Sequence, residues 1–151
     1  MDARGFKPDD FARSHPGGAL GRRLLTHVSD IMRSGADVPQ VGMDASFSEL
    51  MREMSAKGIG ASAVTDAGGR LCGIFTDGDL RRLVETGVDL RSVRAGEVMR
   101  PKPFTVSAQA LAAEAANLME ERKISSVLVL DEKGVLCGAL TSNDLMRAKV
   151  I

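Results

Sequence analysis

The sequence predicts an α/β protein made of two tandem βαββα repeats whose sheets pack against each other. The first observation is an internal repeat: a shift of 65 residues aligns Asp44–Arg82 on Gln109–Arg147 without a gap, with 14 identical pairs in 39 positions. The second is that each copy alternates between helical and strand patterns. The third is that a small sheet with helices on one face leaves its other face apolar, which a second copy can cover.

The first repeat begins with a short strand at Val38–Val41. The stretch "SFSELMREMSAK" follows, with apolar residues at helical spacing on one face. The apolar runs "ASAVTD" and "LCGIFT" are joined by "DAGG", which predicts a hairpin because glycine adopts the positive φ of tight turns. The stretch "DGDLRRLVETG" predicts a second helix with Leu80, Leu83 and Val84 as its apolar face and Gly87 as its end.

The second repeat has the same order of elements. It comprises a strand at Phe104–Val106, a helix at Ala110–Glu121, strands at Val127–Leu130 and Leu136–Leu140, and a helix from Asn143. A short helical phrase precedes each repeat, "VSDIMRSG" before the first and "AGEVMRPKP" before the second, and we expect these lead-in segments to link the copies. The sequence therefore divides into residues 26–92 as repeat 1 and 93–151 as repeat 2, with 1–25 outside the repeat.

Composition excludes several classes of function. Twenty basic residues balance twenty acidic ones, so the basic excess of a nucleic-acid binder is absent. No apolar run approaches the roughly 18 residues of a membrane span, and the N-terminus lacks the apolar stretch of a signal peptide, so we expect a cytoplasmic protein. Cys72 and Cys137 occupy equivalent strand positions and are predicted to be buried free thiols. No metal-ligand cluster is visible, and we expect neither a metal nor a cofactor.

Each repeat ends in the phrase Gly-hydrophobic-x-Thr-x-x-Asp-Leu, at the point where a strand passes into a helix. Thr76 and Asp79 in repeat 1, and Thr141 and Asp144 in repeat 2, match a capping box, in which the two residues satisfy backbone groups of the helix start. The same helix start also presents free N–H groups and a positive dipole end to a phosphate. Capping and ligand binding both remain open on this evidence.

The tandem βαββα pattern with this phrase resembles a pair of CBS domains over residues 28–151. The resemblance implies a regulatory module that binds adenosine- or cytidine-type nucleotides, or nucleotide sugars, in clefts between the copies. It also implies a homodimer formed through the CBS helices, with a tetramer possible in a full-length protein. In CBS pairs the Thr and Asp positions contact phosphate and ribose. The implied ligand-binding residues are Thr76, Asp77, Asp79, Arg81, Arg82, Thr141, Ser142 and Asp144.

The stretches "ARGFKPDDFARSHPGGALGRRLL", "DIM" and "GIFTDGDLRR" together resemble the C-terminal part of the bacterial D-arabinose 5-phosphate isomerases. In that family a sugar-isomerase (SIS) domain precedes the CBS pair, so residues 1–25 are interpreted as the linker remnant after a missing SIS domain. His15 matches the active-site histidine of the family's His-Pro-Gly-Gly motif and would be catalytic only in the full-length enzyme. The chain alone is therefore expected not to be an enzyme.

The two copies differ at the end of the shared phrase, where Arg81 in repeat 1 corresponds to Met146 in repeat 2. An added guanidinium favours a ligand with an added anionic group. CMP-Kdo, an end product of the pathway that the isomerase family feeds, carries both a phosphate and a carboxylate, and it is our expected regulatory ligand. Adenine nucleotides are the main alternative. A dimerisation element that binds no ligand is the other.

Overall fold

The computed structural model describes residues 25–151, and its elements follow the predicted order. Helix α1 (Val28–Ile31) precedes repeat 1, which comprises β1 (Gln40–Gly42), α2 (Phe47–Lys57), β2 (Ala61–Thr65), β3 (Leu71–Thr76) and α3 (Asp77–Glu85). Helix α4 (Ala95–Val98) and strand β4 (Arg100–Pro101) precede repeat 2, which comprises β5 (Thr105–Ser107), α5 (Ala112–Arg122), β6 (Ser126–Leu130), β7 (Leu136–Thr141) and α6 (Ser142–Arg147). None of the helices in this part of the chain is long and apolar enough to cross a membrane.

Each repeat forms its own mixed sheet, in the orders β1-β2-β3-β4 and β5-β6-β7. The first strand of each repeat runs parallel to the second, and the second pairs antiparallel with the third, as a βαββα unit requires. The sheet of repeat 1 has one strand more than predicted, because Arg100–Pro101 of the second lead-in segment pairs with Gly73 and Ile74 of β3. The predicted elements are otherwise confirmed, with ends that differ by one or two residues.

Local sequence signals explain where α2 begins, ends and packs. The Ser46 hydroxyl accepts a hydrogen bond from the Glu49 backbone N–H at 3.1 Å, and a Glu49 carboxylate oxygen accepts one from the Ser46 N–H at 2.9 Å. Gly58 ends the helix with φ of 67°, a conformation that glycine adopts without a Cβ clash. Leu50 and Met54 are buried on the predicted apolar face. The hydrogen-bonded start and the apolar stripe thus orient the helix onto its sheet.

Helix α3 departs from the prediction on one side. Leu80 and Leu83 pack against the core of repeat 1, but Val84 is 55% exposed. The helix therefore buries a narrower stripe than its sequence pattern indicates, and Val84 remains at the surface of the chain.

The faces of the two sheets that point away from their helices pack against each other, which confirms the sheet-to-sheet arrangement. Their shared core consists of small and branched side chains: Ala61, Ala63, Ile74, Leu128 and Ala139. Alanine side chains let two sheets approach closely, and burial of this apolar surface holds the repeats together.

Each lead-in helix packs in the core of the repeat that it does not precede. Val28 of α1 lies in the core of repeat 2, and its N–H donates to the Ala110 carbonyl at 2.9 Å. Ala95 of α4 lies in the core of repeat 1, and its N–H donates to the Ala45 carbonyl at 2.9 Å. Each repeat is therefore completed by the segment that precedes the other one, and the prediction that these segments link the copies is confirmed.

The two cysteines are free, as predicted, but the prediction that both are buried is wrong. Cys72 and Cys137 are half-buried. Each is the second residue of its strand, next to an exposed hairpin turn where solvent reaches the side chain. Burial, and secondarily the nearby Asp131 carboxylate, raise the pKa of the Cys137 thiol above its usual value.

Candidate functional site

A cleft of about 750 Å³ opens between the two repeats. Both repeats and the second lead-in segment contribute to its walls. The lining residues are Ile59, Gly60, Ile74, Thr76, Asp77, Gly78, Arg100, Pro101, Lys102, Pro103, Phe104, Arg122, Lys123, Ile124, Ser125 and Ser126. The cleft is therefore bounded on one side by the start of α3 and on another by the end of α5.

The wall from repeat 1 is the junction of β3 and α3. The Thr76 hydroxyl accepts a hydrogen bond from the Asp79 N–H at 3.2 Å, and the Asp79 carboxylate accepts one from the Thr76 N–H at 3.0 Å. The capping-box interpretation is thus confirmed. The Asp77 N–H donates to the Gly60 carbonyl at 3.0 Å. This bond draws the loop after α2 against the helix start, where Gly60 has φ of 74° and an added Cβ would lie 2.9 Å from Asp77 Oδ2.

Asp79 is the charged centre of this junction, although it does not line the cleft. Its side chain is only 10% exposed, with Arg82 Nη2 at 2.7 Å and Arg100 Nε at 3.3 Å from Oδ1. Burial by itself raises the pKa of a carboxyl group. In Asp79 the hydrogen bonds from Arg82 and Thr76, together with the charge of Arg100, outweigh burial and hold the pKa below the usual 3.8.

The lowered pKa of Asp79 predicts an acid-dependent loss of stability. A group whose pKa is lower in the folded state stabilises the fold fully above its unfolded pKa, and that contribution is lost as the pH falls through the folded value. We therefore expect the Asp79→Asn chain to be less stable than the unaltered one at neutral pH, and to lose less stability between about pH 5 and about pH 2.5. Urea unfolding followed by circular dichroism at several pH values measures this. Equal acid dependence in both chains would contradict the assignment.

Repeat 2 holds a matching junction. The Thr141 hydroxyl accepts from the Asp144 N–H at 3.1 Å, and Asp144 accepts from the Thr141 N–H at 3.0 Å. Asp144 is 7% exposed and pairs with Arg147 at 2.7 Å and with Arg33 at 3.4 Å. Ser142, the first residue of α6, donates its N–H to the Ser125 carbonyl at 3.0 Å. In each repeat, an arginine of a lead-in segment thus reaches the capping aspartate.

Three cations that sequence reasoning missed also line the cleft. Arg122 and Lys123 come from the end of α5, and Lys102 comes from the second lead-in segment. Lys102 (φ 53°) and Lys123 (φ 56°) are two of the three non-glycine residues with positive φ in residues 25–151. Lys123 is the left-handed cap that ends α5, as Gly58 ends α2, whereas Lys102 lies in the lead-in segment between β4 and β5. The cleft thus combines a helix start with three cations.

Phe104 is the aromatic member of the lining, and it is 45% exposed. The guanidinium carbon of Arg122 lies 4.6 Å from its ring centroid, a cation–π contact. The sequence signal for this wall was the "PKPF" stretch, in which prolines alternate with a cation and precede an aromatic residue.

The other predicted site residues lie outside the cleft lining. Arg81 and Arg82 are exposed on α3, and Arg82 is occupied by its ion pair with Asp79. Thr141, Ser142 and Asp144 form the junction of repeat 2 and are not part of the cleft beside Thr76. His15 lies outside the described residues. Between residues 25 and 151, no group of three or more His, Cys, Asp or Glu side chains is arranged to hold a metal ion.

Comparison with known sequences shows which proteins this chain is similar to. The sequence pattern of the CBS domain matches residues 28–86 and 95–151. Arabinose 5-phosphate isomerase KdsD of Pseudomonas aeruginosa is 49% identical over 151 residues, which are 100% of this chain and 46% of that protein. KdsD of Escherichia coli K12 is 46% identical over the same share of each. The chain therefore spans about half the length of the curated relatives that it matches.

Solved structures show the same architecture. Hypoxic Response Protein I, solved with two coordinated zinc ions, has a TM-score of 0.71 and 32% identity, and the match covers 81% of this chain and 98% of that one. CBSX2 in complex with AMP has a TM-score of 0.70 and 25% identity, with 83% and 96% covered.

Proposed function

The chain belongs to the CBS domain family, and on that premise we propose that it is the nucleotide-sensing regulatory module of an arabinose 5-phosphate isomerase. The observation that carries the proposal is the cleft between the repeats, which is lined both by the start of α3 and by several cations. Residues 26–92 and 93–151 are its two CBS units, each made of a lead-in segment and the repeat that follows it. The chain by itself senses, and isomerisation belongs to the longer protein.

The start of α3 suits a phosphate group. Of the N–H groups in the first turn, those of Asp77 and Asp79 already donate to the Gly60 carbonyl and the Thr76 hydroxyl, so the turn offers a phosphate the Gly78 N–H and the partial positive charge of the helix dipole. Thr76 and Asp77 line the cleft at this point, and Gly78 keeps the approach open. We place the phosphate against this turn, and we propose that the Thr76 hydroxyl, which donates to Asp79 Oδ2 at 3.0 Å, turns to donate to a phosphate oxygen.

Asp79 and Arg82 support this turn without lining the cleft. Asp79 fixes Thr76 through the capping box and holds Arg82 and Arg100 by ion pairs. A carboxylate has about four acceptor positions, and one that gives up its weaker bond to Arg100 becomes available to a ribose hydroxyl. The ligand roles of Arg81 and of the repeat 2 set Thr141, Ser142 and Asp144 stay predictions.

CMP-Kdo is the ligand we propose. It joins a nucleoside phosphate to a sugar acid, so it has one anion for the start of α3 and a second for the cations that also line the cleft. Arg100, Lys102, Arg122 and Lys123 all line the cleft, and they add to the excess of cations that Arg81 indicates in the sequence. Binding of this end product to the first enzyme of lipopolysaccharide sugar synthesis would be feedback. A ligand that binds one arrangement of the two repeats more tightly favours that arrangement. It thereby shifts the conformational equilibrium of any domain joined to the pair.

AMP or another adenine nucleotide is the second candidate ligand. CBSX2, with which this chain shares 25% identity over 83% of its length, was solved in complex with AMP. An adenine nucleotide would use the same phosphate position but has no sugar-acid carboxylate for the lysines of the cleft. CMP-Kdo therefore has a carboxylate that Lys102 can bind, and an adenine nucleotide has none.

The remaining alternative to nucleotide sensing is that the module only dimerises, and its surface offers an interface for a second copy. Val84 on α3 and Met146 on α6 are 55% and 53% exposed, although both are large apolar side chains. We propose homodimerisation through these helices. A module that only dimerises would keep this interface and show no response to nucleotides.

Isothermal titration calorimetry of the chain with CMP-Kdo, CMP, AMP and arabinose 5-phosphate tests the proposal. We expect CMP-Kdo to bind more tightly than CMP, because the second anion is paired. Losing a charge-assisted contact costs about tenfold in affinity. Lys102→Met should therefore lower CMP-Kdo affinity by about that factor and leave CMP nearly unchanged.

Arg81→Met tests the asymmetry argument separately from Lys102, since it removes a cation that lies outside the cleft lining. Equal CMP-Kdo affinity in Arg81→Met and the unaltered chain would end the asymmetry argument drawn from Arg81 and Met146. Tighter binding of AMP than of CMP-Kdo would replace the ligand. No heat with any of the four compounds would leave dimerisation as the function.

A further inference from the structure

Phe104 is a partly exposed aromatic side chain that belongs to none of the three hydrophobic clusters of residues 25–151. It precedes the first strand of repeat 2, and Pro39 occupies the corresponding place before the first strand of repeat 1. Pro39 is fully buried, whereas Phe104 is 45% exposed and lines the cleft. The ring is therefore presented to the cleft in one repeat and has no counterpart in the other.

The face of this ring accepts a flat π-system. The planar guanidinium of Arg122 already lies over it, with 4.6 Å from its carbon to the ring centroid. Arg122 is exposed, so it is free to move aside toward an anion. Stacking of a nucleobase on an aromatic ring is stronger than an exposed cation–π contact, and every base has such a face.

The ring is also within reach of the phosphate position. Arg100 contacts Asp79 at the start of α3. Phe104 lies four residues further along the same segment, so their Cα atoms are at most on the order of 14 Å apart. A nucleoside phosphate can bridge a gap of this order. Lys102 lies between them in sequence and lines the same cleft.

We propose that Phe104 is the specificity-determining residue that makes this cleft select nucleotides over base-free sugar phosphates. The base stacks on its ring in the place that Arg122 now occupies, while the phosphate lies at the start of α3. This inference rests on the proposed function, because it assigns the base of the nucleotide that the cleft senses.

The chain contains no tryptophan and no tyrosine, so Phe104→Trp places a single fluorescent reporter at the stacking position. We expect CMP and AMP to quench its emission, and ribose 5-phosphate, which lacks a base, to leave it unchanged. In calorimetry, Phe104→Leu should bind CMP about tenfold or more weakly, whereas Phe104→Tyr should retain binding. Both variants should unfold at the temperature of the unaltered chain, since the ring is not part of a core.

The outcomes separate the two proposals. If the unaltered chain binds CMP or AMP but Phe104→Leu binds equally well, and the Phe104→Trp emission does not change, stacking on Phe104 is wrong and nucleotide sensing stands. Equal quenching by ribose 5-phosphate would also overturn the assignment of the base. If the unaltered chain binds none of CMP, CMP-Kdo and AMP, both proposals fall.

Discussion

Replacing Asp144 with alanine is expected to lower the free energy of unfolding by about 2–4 kcal/mol. Asp144 is 7% exposed and accepts hydrogen bonds from the Thr141 backbone N–H and from Arg147, with Arg33 at 3.4 Å. Removing the carboxylate leaves the buried N–H of Thr141 without this acceptor. It also removes the partner of the partly buried Arg33 and one half of the capping box.

Chemical unfolding followed by circular dichroism measures this loss. Asp89→Ala is the matched control, because Asp89 also accepts from a backbone N–H and pairs with an arginine, Arg91. Asp89 is 56% exposed, so its removal should cost less than about 1 kcal/mol. Equal losses for the two variants would show that burial of the Asp144 cluster contributes nothing.

Gly73→Ala is expected to cost about 1–3 kcal/mol, the range for forcing extra atoms into a packed site. Gly73 lies on β3 where the second lead-in segment crosses it. A Cβ at this position would lie 2.6 Å from Met99 Sδ and 2.8 Å from the Arg100 carbonyl oxygen. The methionine can move, but the carbonyl belongs to backbone that pairs with β3, so β4 must shift away.

Gly42→Ala is the control for this substitution. Gly42 is also in a strand, but its φ is not in the left-handed region and a Cβ there meets nothing within 4 Å. The control should be neutral or slightly stabilising, because alanine restricts the unfolded chain. Thermal unfolding of both variants decides the matter. Gly138→Ala, where Met32 and Arg33 cross β7, should behave like Gly73→Ala. An unfolding temperature of Gly73→Ala equal to that of Gly42→Ala would refute the crossing argument.

The fold was predictable because its signals are local and occur twice. The phrase around Thr76 and Asp79 marks a strand end and a helix start by hydrogen bonds between residues three apart, and such bonds can be read from a sequence. The same phrase at Thr141 marks the equivalent point of the second copy, so the two phrases show how the copies align in sequence. Because the local hydrogen-bonding signals, the hydrophobic pattern and the internal repeat all indicate the same fold, few alternative folds remain.

The composition of the cleft was less predictable, because it depends on contacts between distant residues. Thr76 and Asp77 were found from their own phrase, but Lys102, Phe104 and Arg122 reach the cleft only through the packing of one repeat on the other. The ion pair of Arg33 with Asp144 spans 111 residues. Its partner could not be chosen from sequence spacing among the many arginines of the chain.

The exchanged lead-in helices also bear on how such a chain can arise. If the connection between α3 and α4 were cut, each half would carry a lead-in helix that fits the core of the other half. A single ancestral repeat with one such helix would complete its core by giving that helix to a second copy, which makes a symmetric pair. Joining two such copies end to end would give the arrangement seen here. In the joined chain the two halves can carry different residues at matched positions, as they do at Pro39 and Phe104, while each half still needs the lead-in helix of the other.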